Sequence, residues 1–269
     1  MCTFSSRAQV CLFLFLASIS ILAGWDCARA GAFMQEEGQG QIIVTTTFER
    51  SDRFFDASGK LQPLAQYRKF EMTTYAEYGA TDWLTLIFAP SSSQSAGSIG
   101  PVDSADRYLR VEAGARIRVW RNDHSIVSFQ ATFRAPYAID TGVPPGLRRE
   151  VNEADLRALY GHSFQVFGRA GFFNAELAWR ARAGMGDEWR ADFTLGYRIV
   201  PRFLLLLQNF NVSAQGSSFM PHQRWHKLQV TGVFDFTEKW SVQAGIYATL
   251  LGVNMRREQG FIGGIWTKF

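Results

Sequence analysis

Cysteine is scarce in this sequence of 269 residues, and its three copies, Cys2, Cys11 and Cys27, all lie among the first thirty residues. Beyond them the sequence offers no disulfide, thiol nucleophile or cysteine-ligated metal site. It also lacks any later run of eighteen apolar residues, about the length that a membrane-spanning helix needs. This second absence excludes helical membrane proteins only, because a β-strand crosses a membrane with about 9–11 residues.

Charge is sparse and nearly balanced. There are 28 Lys and Arg against 24 Asp and Glu, and the formal net charge is +4. Because no basic block is interleaved with aromatic residues, nucleic acid is not an expected partner. Hydrophobic residues make up 47% of the sequence, with 24 Gly and 23 Phe, a composition that favours β-structure.

The first thirty residues have the pattern of a secretory signal. Arg7 precedes an apolar run over residues 10–22, and Ala28-Arg29-Ala30 supplies the small residues of a cleavage site. The alternative is a membrane anchor, for which the run is short. We therefore predict a signal peptide over residues 1–30, cleaved near Ala30, and a single domain over residues 31–269.

Apolar and polar residues alternate along most of that domain. Over residues 108–120 the odd positions are apolar, whereas Arg110, Glu112, Arg116 and Arg118 occupy even positions. A strand places these charges on one face, and a helix would spread them around its circumference. The pattern predicts about twelve strands. They cover residues 41–51, 67–79, 83–91, 107–121, 124–136, 153–166, 170–182, 187–199, 202–214, 224–236, 239–251 and 257–269.

The connections between predicted strands alternate between short and long. The long ones cover residues 52–66, 92–106, 137–152 and 215–223, and residues 91–98 are expected to form a mobile external loop. Short periplasmic turns and long external loops are typical of outer-membrane barrels. Residues 31–40 are then expected as a periplasmic lead-in.

Aromatic residues flank both sets of connections, as in the two girdles of a membrane barrel. Those near the long loops include Tyr67, Tyr108, Tyr137, Trp189 and Trp225. Phe269 ends the last alternating segment, which is expected to pair with residues 42–48 and close the sheet, with Phe269 towards lipid and Trp266 towards the lumen. These features predict an all-β, transmembrane, antiparallel up-and-down β-barrel of about twelve strands in the outer membrane of a Gram-negative bacterium.

The polar face of the predicted barrel is the candidate functional surface, because the other face meets lipid. An arginine-rich lumen favours polar or anionic solutes. Alternatively, the charges pair across strands and fill a narrow lumen that passes no solute, and the predicted strand number does not decide between the two. The predicted pore-lining residues are Arg110, Glu112, Arg116, Arg118, Arg134, Asp155, Arg157, Glu176, Arg180, Arg182, Arg190, Asp192 and Arg198.

A lipid hydrolase is a third possibility, which needs a serine, a histidine and an orienting acid or amide within hydrogen-bond reach. His162 and Ser163 are adjacent in a strand and therefore point to opposite faces. His222 and His226 lie near a loop that also carries Ser213, Ser217 and Ser218. No specific motif marks these residues, so we predict no catalytic, cofactor-binding or metal-binding residue and no enzyme.

The expected partners are outer-membrane lipid and lipopolysaccharide, the barrel-assembly machinery through the C-terminal strand, and small solutes. Basic residues predicted near the outer rim are candidates for contact with lipid phosphates through charge-assisted hydrogen bonds. They are Arg148, Arg149, Arg224, Lys227, Arg256 and Arg257.

Two segments resemble a group of proteobacterial outer-membrane proteins. One runs from Gly31-Ala32-Phe33 to Thr45, and the other joins Tyr67-Arg68-Lys69-Phe70 to Tyr78-Gly79-Ala80-Thr81-Asp82-Trp83-Leu84-Thr85. The second is similar to a turn found in transporter-like barrels, including the putative phenol-degradation meta-pathway family. The resemblance covers about the first third of the chain and the C-terminal strand. It implies a transporter-like barrel and carries no functional residue across.

Together these features predict an outer-membrane channel for small polar or aromatic solutes, which pass by diffusion through an arginine-rich lumen. A non-conducting structural or surface barrel and an outer-membrane lipid hydrolase are the alternatives.

Overall fold

A single closed antiparallel sheet contains most of the chain. The computed structural model of the protein describes residues 31–99, 102–141, 151–218 and 220–269. The predicted signal peptide over residues 1–30 lies outside these ranges, as do Arg148 and Arg149. No helix among the described residues is long and apolar enough to cross a membrane.

Twelve long strands and one two-residue strand make up the sheet. They are β1 (Gly40–Phe55), β2 (Leu61–Thr81), β3 (Leu84–Ile99), β4 (Val102–Arg121), β5 (Ser125–Thr141), β6 (Glu153–Val166), β7 (Arg169–Arg182), β8 (Glu188–Val200), β9 (Phe203–Ala214), β10 (Gln223–Asp235), β11 (Trp240–Val253), β12 (Met255–Arg256) and β13 (Gln259–Lys268). β1 to β11 pair antiparallel in chain order, β11 pairs with β13, and β13 pairs with β1 from Gln41↔Lys268 to Arg50↔Gln259, while β12 pairs with the end of β1. The twelve-stranded barrel is therefore closed, as the sequence predicts.

Alternation divides the strand residues between two faces. Side chains such as Phe48, Ile117 and Phe261 are exposed on the exterior, whereas Arg116 and Asp155 are buried on the lumen face. At the end of the chain, Phe269 is exposed and Trp266 is buried, which agrees with the predicted register. An apolar exterior and a polar lumen are the arrangement expected for a barrel surrounded by lipid.

Two of the predicted long loops are strands, so that part of the prediction is wrong. Residues 52–66 form the ends of β1 and β2 around a tight turn, in which Asp56 accepts hydrogen bonds from the Ser58 and Lys60 amides and from the Gln62 side chain. These hydrogen bonds hold the pKa of the Asp56 carboxyl well below its usual range. Residues 91–98 belong to β3, which pairs with both β2 and β4.

The barrel has two distinct ends. Short turns join β2 to β3, β4 to β5, β6 to β7, β8 to β9 and β10 to β11 at what we call the short-turn end, where Trp83, Trp120 and Phe167 are exposed. At the opposite end, the far end, β1 to β5 are the longest elements. The register places Tyr67 and Tyr108 of the predicted far girdle on the lumen face, opposite Ser51 and Ser93 respectively. Trp225 also lies on that face, opposite the buried Val212.

Residues 31–38 do not form a lead-in outside the barrel. They run into the lumen from the short-turn end, and Ala32 and Phe33 join a buried cluster with Ile126, Leu159 and Phe172. The sequence-based expectation is wrong here because the partners of these residues lie far away in the chain.

Candidate functional site

The lumen segment, residues 31–38, enters beside the seam between β1 and β13. Glu37 forms a parallel bridge with Gly79, and the Gly38 amide donates to the Gly79 carbonyl at 2.9 Å. Gly40, at the start of β1, donates its amide to the Phe269 carbonyl at 2.8 Å. The segment therefore leaves the wall at the place where the two ends of the sheet meet.

Side chains of the wall satisfy the backbone of the lumen segment. The Ala32 amide donates to Asn174 Oδ1 at 2.8 Å, and Ser128 Oγ donates to the Ala32 carbonyl at 3.0 Å. Arg116 Nη1 donates to the Phe33 carbonyl at 2.9 Å. Buried backbone groups need such partners, and here β4, β5 and β7 each supply one.

An apolar contact holds the inner part of the segment. The Phe33 ring meets the Phe172 ring edge to face, with the centroids 6.1 Å apart. Gly161 faces the same ring, and a Cβ at this position would lie 3.0 Å from two Phe33 ring atoms and from Ile126. The lumen wall is therefore shaped to accept this aromatic side chain.

Arg116 is the polar centre of this site. Its side chain is 2% exposed, and its Nη2 pairs with Glu77 at 2.8 Å and also donates to Tyr75 Oη and Gln130 Oε1. Gln35 of the lumen segment donates to the second Glu77 oxygen at 2.8 Å. One buried ion pair thus binds the segment twice, through the Phe33 carbonyl and the Gln35 side chain.

The remaining arginines of β5 to β7 form one network with the lumen carboxylates. Arg134 pairs with Glu112 and, at 3.1 Å, with Glu153. Arg180 pairs with Asp155 at 3.0 Å and Glu153 at 3.5 Å. The Glu153 carboxylate is shared by both arginines and links these four pairs into a continuous row of charge across the strands.

Arg157 and the arginines of neighbouring strands extend this row. Arg157 pairs with Glu176 and with Asp155 at 3.2 Å. Further pairs are Arg157 with Asp192 at 3.6 Å, Arg182 with Glu188 at 2.7 Å, Arg190 with Glu188 at 3.7 Å and with Asp192 at 3.9 Å, Arg110 with Glu71 at 3.5 Å and Arg198 with Asp235 at 2.8 Å. Arg118 lies on the same face near the short-turn end, opposite Ser128.

All the predicted pore-lining residues thus lie on the lumen face, but ion pairs hold most of the arginines. Sequence reasoning missed Glu77, Asn174, Ser128 and Gln130, which contact the lumen segment or Arg116 directly. Glu77 was detectable, since it occupies a polar position of a strongly alternating strand. The neutral residues carry no comparable signal.

A second group of charged residues faces the lumen from β2, from β10 and from the segment between β12 and β13. Lys69 pairs with Glu71 at 2.5 Å, and Lys227 pairs with Glu258 at 2.6 Å. Arg256 stacks on the Tyr67 ring at 4.2 Å from its centroid. Two residues of the predicted lipid-binding rim, Lys227 and Arg256, are thus engaged with lumen-face side chains.

The geometry around the histidines bears on the hydrolase alternative. Ser213 Oγ lies 3.3 Å from His222 Nε2, whereas Asn211 Oδ1 contacts a different histidine, His226, at 2.6 Å. Within the described ranges no histidine contacts both a serine and an orienting acid or amide. No group of three or more His, Cys, Asp or Glu residues that could hold a metal ion occurs in those ranges either.

No family model matches the sequence, and no curated protein matches it. Solved structures do match. The COG4313 outer membrane channel from Pseudomonas putida F1 superimposes with a TM-score of 0.70 at 14% identity, covering 91% of this chain and 100% of that one. The translocator domain of the autotransporter NalP from Neisseria meningitidis gives a TM-score of 0.53 at 12% identity, over 98% of both chains.

The NanC porin is a third similar structure, with a TM-score of 0.50 at 10% identity, covering 84% of this chain and 100% of that one. At these identities the similarity shows the fold alone, and the resemblance to the phenol-degradation meta-pathway family stays a prediction. The chain therefore has the fold of the Gram-negative outer-membrane β-barrels, a class that includes channels and porins.

Proposed function

We propose that this protein is a passive outer-membrane channel for small polar or aromatic solutes, whose bore is set by the lumen segment. Its place would be the outer membrane of a Gram-negative bacterium after removal of residues 1–30, with the short-turn end in the periplasm. Small solutes would pass between the lumen segment and the arginine-rich wall.

One observation carries this proposal. The lumen accommodates a whole chain segment, whose contacts with the wall include an aromatic contact with Phe172 and hydrogen bonds to side chains of five strands, namely Glu77, Thr85, Arg116, Ser128 and Asn174. A barrel filled by its own wall side chains has no such room. Because the contacts of the segment are non-covalent, small displacements of residues 31–38 widen the path without unfolding a strand.

The ion pairing of the lumen arginines refines the class of solute. Arginine and carboxylate side chains alternate within one wall, so their fields largely cancel, and the strong transverse field of opposed charged walls is not expected. Selection would then depend on hydrogen bonding to the guanidinium groups and on the aromatic rings of Phe33 and Phe172. This favours small solutes with polar or aromatic groups over highly charged ones.

The alternative of a non-conducting barrel also has a specific observation in its favour. The Arg116–Glu77 pair is almost completely buried, and the lumen segment covers it. If the segment never moves, the barrel is closed at that level.

Planar bilayer recordings separate these two functions. The protein that starts at Gly31 is compared with a variant that lacks residues 31–37, both refolded and checked by heat-modifiable electrophoretic mobility. We expect discrete conductance from the first and a unitary conductance larger by about twofold or more from the second, because the bore is wider. A silent bilayer from both correctly folded proteins would contradict the channel.

A further inference from the structure

The exterior of the barrel carries a row of apolar side chains near the far end. Phe48 of β1 is in register with Phe70 of β2 and with Phe261 of β13, which is in turn in register with Ile246 of β11. The Phe48 and Phe70 ring centroids are 5.0 Å apart. Phe48, Ile246 and Phe261 are all more than half exposed. This phenyl row is the surface that acyl chains contact in a membrane barrel.

Two arginines lie directly beyond the phenyl row, towards the far end. Arg50 follows Phe48 by two positions, Arg68 precedes Phe70 by two, and the two arginines are direct partners across the β1–β2 pair. Both side chains are exposed. Like charges opposite each other on one face of a sheet are destabilising, and an anion bound between the two guanidinium groups would offset this repulsion.

The adjacent register pair, on the lumen face, combines opposite charges instead of like charges. Glu49 and Lys69, one residue along each strand, are also direct partners, and there the charges are opposite. On the exterior, by contrast, neither Arg50 nor Arg68 forms an ion pair within the described part of the chain. On the lumen face a carboxylate of the protein thus supplies the negative charge, whereas on the exterior a bound anion would have to supply it.

The arginine pair belongs to a concave site, although barrel exteriors are usually convex. An open cleft of about 1040 Å³ is bounded by the phenyl row, by Arg50, Arg68 and Arg107, and by Gln94 and Gln259 among others. Gln94 and Gln259 are the register partners of Phe70 and Arg50, respectively. Apart from Gln94, which is level with the phenyl row, the hydrogen-bond donors of the cleft therefore lie towards the far end and its apolar side chains towards the short turns.

We propose that this cleft binds the phosphate group of an outer-leaflet lipid, a phosphorylated glycolipid of the lipid A class. Arg50 and Arg68 would donate charge-assisted, bidentate hydrogen bonds to the phosphate oxygens, and the acyl chains would lie on Phe48 and Phe261. The phenyl row favours a lipid over free phosphate, because only a lipid has acyl chains that contact the phenyl row as well as a phosphate that contacts the arginines. The proposal rests on the proposed membrane location but not on conduction.

Native mass spectrometry of the purified full barrel in detergent tests this site. The probes are bisphosphorylated lipid A, the same lipid without phosphate, and inorganic phosphate. We compare the wild type with the Arg50→Gln/Arg68→Gln double variant. The matched control is Arg121→Gln/Arg202→Gln, which removes two exposed arginines at the short-turn end.

We expect the wild type and the control to bind bisphosphorylated lipid A about tenfold more tightly than the dephosphorylated lipid, a preference that the double variant loses. If the double variant kept the wild-type preference for bisphosphorylated lipid A, the proposed site would be wrong. Displacement of the lipid by inorganic phosphate at similar concentrations would overturn the lipid assignment. Conductance of the double variant should match the wild type, so a silent channel with intact lipid preference would contradict the proposed function alone.

Discussion

Arg116 illustrates how much one residue contributes to the lumen. It holds Glu77, Gln130 and the Phe33 carbonyl at once, and its side chain is only 2% exposed. An Arg116→Gln substitution leaves the Glu77 carboxylate buried without its main partner. We expect this to lower the free energy of unfolding by about 3–5 kcal/mol and to loosen the lumen segment, seen as more frequent current fluctuations in planar bilayers.

Arg118→Gln is the matched control, since Arg118 lies two positions further along the same face near the short-turn end. It removes the same charge without touching the lumen segment. We expect a change of ion selectivity with little change in stability or in current fluctuations. Similar behaviour of the two variants would mean that charge alone, and not the anchoring of the segment, determines the effect of Arg116.

The sequence predicted the faces of these residues but not their partners. Alternation in β4 and β6 is strict enough to assign Arg116 and Asp155 to the lumen. The pairing of Arg116 with Glu77 joins strands that are not adjacent, and the hydrogen bond from Arg116 to the Phe33 carbonyl spans 83 positions in the chain. Contacts of this kind form only when the barrel is closed, and no local sequence pattern indicates which distant residues meet inside it.

At the scale of an element, the docking of the lumen segment depends on a small residue in the facing wall. Gly161→Val would place methyl groups where the Phe33 ring lies, because even a Cβ meets that ring at 3.0 Å. We expect this overpacking to destabilise the docked position of the segment by about 1–3 kcal/mol and so to displace it. Limited proteolysis of the folded barrel should then cut within residues 31–38 faster than in the wild type.

Gly263→Ala provides the control for this change. Gly263 lies on the exterior, and the atom nearest to an added Cβ is 3.8 Å away, an ordinary van der Waals distance. Its proteolysis pattern should match the wild type. If residues 31–38 of Gly161→Val were as resistant to proteolysis as those of the wild type, Phe33 would not be held by this wall.

Elements differ in how far the sequence predicts them. β6 is observed over Glu153–Val166, the predicted range, because one of its faces must be apolar and the other polar. β3 continues to Ile99 through a serine-rich stretch that was expected to be a loop. Strand ends with polar side chains on both faces have no alternation to detect, and only the backbone pairing with β2 and β4 identifies them.

At the scale of the whole molecule, closure of the barrel can be tested by cross-linking. Thr47 and Ile262 are direct partners across the β1–β13 seam, and directly opposed antiparallel residues have the Cα separation of about 4.5–5.5 Å that a disulfide accepts. In a protein that starts at Gly31 and has no other cysteine, Thr47→Cys/Ile262→Cys should oxidise readily. The cross-link should slow unfolding in denaturant.

The offset pair Thr45→Cys/Ile262→Cys is the control. Thr45 and Ile262 share the lumen face, but Ile262 is in register with Thr47, two positions further along β1. Diagonal neighbours lie about 7–8 Å apart, beyond the usual disulfide range. Faster oxidation of the offset pair would contradict the register of the seam.

The position of the lumen segment also imposes an order on assembly. Its hydrogen-bond partners Thr85, Arg116, Ser128 and Asn174 belong to β3, β4, β5 and β7. Residues 31–38 precede all these strands in the chain, yet they cannot dock until the wall has formed as far as β7. The part of the domain that comes first in the chain therefore reaches its final position only after four later strands are in place.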